Sequence, residues 1–152
     1  VERAGNGLPG GGSITAVYTV LTEGDDPNDP IADTACGILD GHIVLSRSVA
    51  DAGLYPAIDI EASVSRVAND IISEARQQQV RRFRQLYSAY RQNRDLIAIG
   101  AYQKGADPRV DAAIAAWPRM ESFLQQSAQH GSGYAESVKA LADLFPTQDA
   151  VT

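Results

Sequence analysis

The sequence is poor in cysteine, in histidine and in long apolar runs, and each shortage excludes a class of protein. Cys36 is the only cysteine, so the chain has no internal disulfide framework and suits a reducing compartment; its neighbours Ala35 and Ile38 indicate a small buried side chain. The two histidines, His42 and His130, do not form a convincing zinc site. No apolar run approaches the ~20 residues that a membrane span needs.

A phosphate-binding loop is also missing. Residues 5–10 read G-x-G-x-x-G, but Pro9 interrupts them, and a strand pattern follows where a dinucleotide site needs a helix. Gly5 and Gly10 have the spacing of P-loop glycines, yet Gly11 stands where the P-loop lysine belongs. We therefore interpret this stretch as a flexible connector.

What is present is an ordinary globular composition with unevenly placed charge. The 152 residues are 44% hydrophobic and 21% charged, with a formal net charge of −6. Residues 1–66 hold three Lys/Arg and ten Asp/Glu, whereas residues 67–152 hold ten and nine. The acidic first part argues against a nucleic-acid surface. Six arginines of the second part indicate a solvated helix face: Arg76, Arg81, Arg82, Arg84, Arg91 and Arg94.

The first part of the chain predicts an α/β fold. Residues 14–21 are β-branched and apolar on both faces toward their end, as in a central parallel strand. Asp29 caps a short helix that begins at Pro30. Residues 42–45 form a second apolar run, and a short helix from 46 to 53 follows it. This alternation is typical of a parallel sheet.

The pattern changes at Val67, and residues 67–152 predict an all-helical domain. Three apolar stripes have helical spacing, the second of them after an Asp107-Pro108 start: Phe83, Leu86, Tyr87 and Tyr90; Val110, Ala113, Ile114 and Trp117; Tyr134, Val138, Leu141 and Phe145. We therefore predict two domains, residues 1–66 and residues 67–152. Because a glycine-rich loop follows Val1 at once, we expect the chain to be a piece of a longer protein.

The segment between these two patterns, residues 55–66, is the candidate functional stretch. Pro56 fixes its own φ and biases Tyr55 toward an extended backbone, which holds the ring in one direction. Ser63 and Ser65 are candidate N-caps for the long helical pattern that follows. Arg66 then lies at a strand-to-helix junction, a place where side chains often point at ligands.

A second interpretation of Arg66 is a local salt bridge with Asp59 or Glu61. On the physics of the residues alone, this interpretation is the more frequent outcome for an arginine at a junction.

Several motifs in one order resemble the hexameric ATPases of bacterial protein export. They are Gly12-Ser13-Ile14-Thr15-Ala16, the run from Leu39 to Arg47, and the run from Tyr55 to Arg66. Two further segments favour the flagellar type III export ATPases over the virulence-secretion branch: Thr22-Glu23-Gly24-Asp25-Asp26 and Asp29-Pro30-Ile31-Ala32-Asp33. These enzymes resemble the catalytic subunit of the rotary ATP synthase. The resemblance implies the end of a RecA-like nucleotide-binding core without its P-loop portion, followed by a helical C-terminal domain.

The resemblance also implies site residues. Arg66 matches an arginine finger that reaches into the neighbouring subunit's nucleotide site, and its planar charged fork suits phosphate oxygens. Tyr55 matches a ring that stacks on adenine within its own subunit. Tyr134 follows a matching Phe123-Leu124-Gln125-Gln126 segment and corresponds to a second adenine-facing aromatic. The implied ligands are ATP and Mg²⁺, with the Mg²⁺ ligands outside this chain, so we expect the isolated chain not to hydrolyse ATP.

The implied partners are those of an export machine. They are the other subunits of a homohexamer, a coiled-coil stalk protein, a stator-like regulator, and export substrates or their chaperones at a membrane export gate. Asp25, Asp26 and Asp29 match a loop that faces the stalk, and residues 102–107 match a helical tip that touches it. The implied location is the cytoplasm, peripheral to the inner membrane, with no nucleic acid as partner.

Three other functions stay open at this point. The chain could belong to a virulence type III secretion ATPase, or be a non-catalytic helical protein-interaction module. A coding frame that extends upstream to a P-loop would exclude the module. The arginine-rich face suggests an RNA-translocating hexamer, which salt-dependent RNA binding would support. Because residues 13–66 form an incomplete sheet with open edges, we expect the isolated chain to self-associate or to lose order before residue 67.

Overall fold

The structure is a computed structural model that describes residues 4–22 and 29–145. Its chain divides into two compact units, residues 1–42 and residues 43–152.

In the first unit the glycine-rich start forms a small hairpin. Strand β1 (Gly5–Asn6) pairs antiparallel with β2 (Ser13–Ile14), with Gly5 opposite Ile14. The Gly7 amide donates to the Gly12 carbonyl at 2.9 Å, and Gly10 has a φ of +83°, which favours glycine at this turn. The predicted flexible connector is thus a closed turn in the described part of the chain.

The predicted central strand at residues 14–21 is wrong. Only Ser13–Ile14 is a strand, and residues 15–22 have no regular secondary structure. The described residues form two sheets of two strands each, and neither sheet includes residues 15–22. A buried parallel strand needs backbone partners on both sides, so an apolar run without such partners does not become a strand.

The predicted helix after Asp29 is confirmed as α1 (Pro30–Ile38). The Asp29 carboxylate accepts hydrogen bonds from the amides of Ile31 at 2.8 Å and Ala32 at 3.0 Å. Pro30 stands at the first helical position, where its missing N–H costs nothing. Local capping chemistry is therefore enough to place this helix.

The second sheet consists of β3 (Gly41–Leu45) and β4 (Ile58–Ser65). Between them, α2 (Arg47–Asp51) follows Ser46 and ends before Gly53, whose φ is +78°. The sequence pattern predicted both β3 and α2. The Ser46 amide donates to the Ala57 carbonyl at 2.8 Å and so joins the two ends of the connection.

The prediction that Ser63 and Ser65 cap a helix is wrong. Both residues belong to β4; the short α3 (Ala68–Ile71) follows Val67, and the long α4 (Glu74–Ala98) is capped by Ser73. The Ser63 hydroxyl is engaged within the sheet, where it accepts the Val44 amide at 3.0 Å.

Helices α4, α5 (Pro108–Leu124) and α6 (Tyr134–Leu144) form the helical part of the second unit. Asp107 caps α5 as predicted, and its side chain accepts the Arg109 amide. The predicted stripes meet in a buried cluster of Phe83, Leu86, Tyr87, Ala113 and Met120. Tyr134 is exposed and not part of this packing, which corrects the third stripe.

Strand β4 packs against this helical cluster. Ile60 is half-buried on it, together with aromatic side chains of α4 and α5. The closest ring pair is Tyr90 and Trp117, stacked with centroids 3.8 Å apart and planes 7° from parallel. Over the described ranges, no helix has both the length and the apolar character to cross a bilayer.

Candidate functional site

Tyr55 stands at an exposed corner before β4. Leu54 is buried beneath this corner, whereas the Tyr55 side chain is 57% exposed. The Tyr55 carbonyl accepts the Gln126 amide at 2.8 Å, which fixes the corner to the chain that leaves α5. The Tyr55–Pro56 peptide bond is cis. The corner therefore presents an aromatic ring to solvent from an anchored backbone.

Strand β4, which leads to Arg66, is bent. The Ser63 hydroxyl donates to the Asp59 carbonyl at 2.6 Å, although four residues of straight strand span about 13 Å. The Asp59 carboxylate also accepts the amides of Glu61 at 2.9 Å and Ala62 at 3.0 Å. These bonds belong to a turn, so the backbone changes direction between residues 59 and 63.

Arg66 follows the last residue of β4 and is exposed, at the predicted junction between strand and helix. Arg66 makes interactions within the structure, so its charge is not unpartnered. What distinguishes Arg66 is its position at the end of β4. The proposed local partner Asp59 uses one carboxylate oxygen to accept two backbone amides.

Tyr134 is the first residue of α6 and is held by an arginine that the sequence had placed on a solvated face. The Tyr134 hydroxyl accepts a hydrogen bond from Arg76 Nη1 at 2.8 Å. The same guanidinium lies 5.8 Å from the centroid of the Tyr134 ring, within the range of a cation–π contact. The ring is 73% exposed, so stacking on a flat ligand remains open to it.

Hydrogen bonds hold the tip between α4 and α5 together. The Tyr102 hydroxyl lies 3.0 Å from the Asp107 carbonyl and 2.9 Å from the Asp111 carboxylate. The other Asp111 oxygen accepts the Gly105 amide at 2.8 Å. Burial, and then the bond to Asp111, raise the pKa of Tyr102 above its ordinary value. Of the other predicted stalk-facing residues, Asp25 and Asp26 lie outside the described residues.

Sequence reasoning missed a recess beside the stacked pair Tyr90 and Trp117. Its volume is about 170 Å³, and the charged residues that line it are Arg91, Arg94 and Glu121. Burial raises the pKa of Tyr87 on its wall, and the Arg91 charge acts in the opposite direction. The spacing of the apolar residues predicted that Tyr90 and Trp117 lie in a core. That spacing does not indicate a recess beside them.

Two family models match adjoining parts of the chain. Residues 1–65 match the nucleotide-binding domain of the ATP synthase alpha/beta family. Residues 72–143 match the T3SS EscN ATPase C-terminal domain. Arg66 lies in the short interval between the two matches.

Curated relatives agree with this pair of domains. The flagellum-specific ATP synthase of Salmonella typhimurium is 60% identical over 147 residues, which are 97% of this chain and 32% of that protein. The flagellum-specific ATP synthase of Pseudomonas aeruginosa is 57% identical over 145 residues, 95% of this chain and 32% of that protein. The chain belongs to the flagellar and type III secretion ATPase family. It is the C-terminal portion of such a protein and spans about a third of the length of these relatives.

Solved structures confirm the fold of this family. The assembled ATPase EscN from the enteropathogenic E. coli type III secretion system has a TM-score of 0.83 and 41% identity, over 88% of this chain and 32% of that one. EscN in complex with its central stalk EscO has a TM-score of 0.81 and 38% identity, over 95% of this chain and 33% of that one. The predicted class is confirmed: the end of an α/β nucleotide-binding domain followed by a helical C-terminal domain.

The predicted domain division at residues 66 and 67 and the roles of Arg66, Tyr55 and Tyr134 stay predictions. Over the described ranges, no three His, Cys, Asp or Glu side chains lie close enough together to hold a metal ion.

Proposed function

We propose that the full-length protein is an ATP hydrolase that energises flagellar protein export, and that this chain supplies Arg66 as an arginine finger in trans. The observation that carries the proposal is the place of Arg66. It is exposed, it follows β4 directly, and it lies between the nucleotide-binding and C-terminal matches. A guanidinium there can donate to γ-phosphate oxygens of a neighbouring subunit as negative charge develops on them.

In this proposal Tyr55 and Tyr134 form part of the adenine pocket. Both rings are exposed and both are held: Tyr55 through its backbone and Tyr134 through the Arg76 guanidinium. The phosphate cradle and the Mg²⁺ ligands lie in the part of the protein outside this chain. Because the chain contains no P-loop lysine, the isolated fragment is inactive in hydrolysis.

A trans finger requires an assembled ring, and we propose a homohexamer that meets a coiled-coil stalk. The solved structures of EscN, one assembled and one with its central stalk EscO, support this part by similarity. The built tip around Tyr102 and Asp111 is the surface we assign to the stalk. A stator-like regulator, export substrates or their chaperones, and the membrane export gate complete the proposed partners, with the enzyme in the cytoplasm at the inner membrane.

The test uses the full-length enzyme. We expect Arg66→Ala to leave nucleotide binding near its original strength and to lower kcat by about 10³-fold or more, because such fingers contribute about 10³ to 10⁵ in rate. Steady-state hydrolysis and equilibrium nucleotide binding measure the two effects. Unchanged turnover would refute the finger role.

A subunit-mixing experiment tests whether the finger acts in trans. Subunits with Arg66→Ala are mixed with subunits that lack the P-loop lysine of the full-length protein, and neither kind alone has more than a residual turnover. If the finger acts in trans, interfaces that join an intact P-loop to an intact Arg66 recover part of the turnover. Mixed rings with no recovery would contradict supply in trans.

The virulence type III secretion ATPase is the second candidate, and the similarity to EscN supports it. The flagellar relatives named above are 57% to 60% identical to this chain, against 41% for EscN, which favours flagellar export. Restoration of motility in a strain without its flagellar ATPase distinguishes the two.

A further inference from the structure

The bend in β4 is closed by an arginine from α4. Arg84 Nη2 donates to two carbonyl oxygens, those of Ile60 and Ser63, at 2.6 Å each. Oxygens bonded to the same nitrogen lie no farther apart than twice that distance, whereas three residues of straight strand span about 10 Å. The single guanidinium nitrogen therefore bridges the two sides of the bend, with charge-assisted bonds that are short and directional.

Arg84 stands next to the buried cluster of the helices. Its neighbour in the sequence, Phe83, is 5% exposed and belongs to the buried cluster, on which Ile60 also packs. The aliphatic contact of Ile60 and the polar contact of Arg84 thus hold the same part of β4 to the helical part of the second unit. Together they fix where the backbone leaves the bend at Ser63.

Arg66 is only three residues beyond Ser63, so the direction of the backbone at the bend determines where the Arg66 guanidinium lies. Reacting and stabilising groups have to be held within about 0.5 Å of their productive positions. A misplacement of about 1 Å can lower a rate by about 100-fold. Bends and bulges in strands beside active sites commonly serve to aim a side chain in this way.

We propose that Arg84 is a positioning residue for Arg66, which it aims by holding the bend of β4 closed from α4. This inference rests on the proposed finger function of Arg66. Arg84 itself touches neither nucleotide nor phosphate in this assignment.

The experiment replaces Arg84 in the full-length enzyme. Arg84→Met keeps an unbranched stem and removes every donor, and we expect kcat to fall about 10- to 100-fold with KM for ATP unchanged. Arg84→Lys restores most of the turnover, because one nitrogen makes both bonds and an ammonium has three donors. Arg84→Gln is a milder second variant with an expected kcat between those of Met and arginine, in case the Met variant does not assemble.

The chain offers a matched control in Arg119. Arg119 Nη2 donates to the Asp143 carbonyl at 2.6 Å and so joins α5 to the end of α6 that lies away from Tyr134. Arg119→Met removes the same kind of bond, and we expect a comparable change in Tm with turnover retained. If Arg84→Met and Arg119→Met lowered turnover equally, Arg84 would be merely structural and the proposal would be overturned.

A double variant separates failure of this inference from failure of the finger role. If Arg84 acts through Arg66, then Arg66→Ala with Arg84→Met is no slower than Arg66→Ala alone. A slower double variant means that Arg84 acts independently, and the positioning role is wrong. If Arg66→Ala is inactive and Arg84→Met is fully active, the positioning role is wrong and the finger role is retained. If Arg66→Ala is fully active, both the finger role and the positioning role are wrong.

Discussion

The two units of the chain differ in what they bury. In residues 4–22 and 29–42 no side chain is buried, and Val17 and Leu21 are more than nine-tenths exposed. In the described part of residues 43–152, by contrast, Tyr87 and Met120 are almost wholly removed from water. Both regions carry strong apolar patterns. The difference teaches that an apolar pattern produces a core only where partner elements lie within reach.

Helices α4, α5 and α6 find their packing partners within the chain, because they cover one another. The run at residues 14–21 has the composition of an interior strand, but beyond Ile14, which pairs with β1, it has no strand beside it in the described residues. The chain spans about a third of its curated relatives, 32% of the Salmonella typhimurium protein. We expect the neighbours of that run to come from the rest of the full-length protein.

The largest expected effect is in amide hydrogen exchange of the isolated chain. Amides in the buried turns of α4 and α5, around Tyr87 and Met120, should exchange at least about 10³-fold more slowly than those of residues 15–22. The physical reason is that the first group opens only with the core, whereas the second has no regular backbone bonds to break. Exchange followed by mass spectrometry measures both regions at once. Uniformly strong protection over residues 13–66 would contradict the comparison.

The next effect is a matched pair of truncations. Met120→Ala should lower the free energy of unfolding by about 2–5 kcal/mol, because it opens a cavity in a fully buried site. Val17→Ala removes apolar atoms that are already in water, so its effect should stay within about 0.5 kcal/mol. Urea unfolding at constant m-value compares the two variants. Equal losses would mean that residue 17 has a partner within the isolated chain.

The smallest expected effect is the loss of stability in acid that comes from Asp107, the N-cap of α5. Arg109 donates to the Asp107 carboxylate and pairs with it at 2.9 Å, which lowers the Asp107 pKa below its ordinary value. A lowered pKa in the folded state means stability that is present above the unfolded pKa and lost as the pH falls through the folded pKa. We expect a small fall in Tm as the pH drops below about 4, and we expect this fall to be weaker in Asp107→Asn, which still caps the helix.

Both side chains of this pair are at the surface, and salt screens such pairs. Added salt should therefore reduce the acid effect in the original protein and leave Asp107→Asn unchanged. An acid transition that is identical in the two proteins would show that Asp107 contributes nothing to it.

Local signals explain what could be predicted. Two helix N-termini could be predicted from an Asp-Pro pair, Asp29-Pro30 for α1 and Asp107-Pro108 for α5. The reason is that the capping aspartate and the proline act within one turn of the helix. The exposed junction at Arg66 follows from the change of period beside it. Each of these features depends on neighbours in the sequence.

Distant partners explain what could not be predicted. Arg84, which donates to the bend in β4, lies 24 residues beyond Ile60, and Arg76, which donates to the Tyr134 hydroxyl, lies 58 residues before Tyr134. The sequence pattern placed both arginines on a solvated face; Arg84 is indeed exposed, whereas Arg76 is half-buried. A helix-face pattern by itself did not show that Arg76 bonds to Tyr134 and that Arg84 bonds to β4.

The stacked pair of Tyr90 and Trp117 gives the protein an intrinsic optical probe. Trp117 is the sole tryptophan, so indole emission from this chain has one source. Its ring lies 3.8 Å from a tyrosine of α4 and lines the recess beside α2. A shift in that emission therefore reports separation of α4 from α5 or entry of a ligand into the recess, without any attached dye.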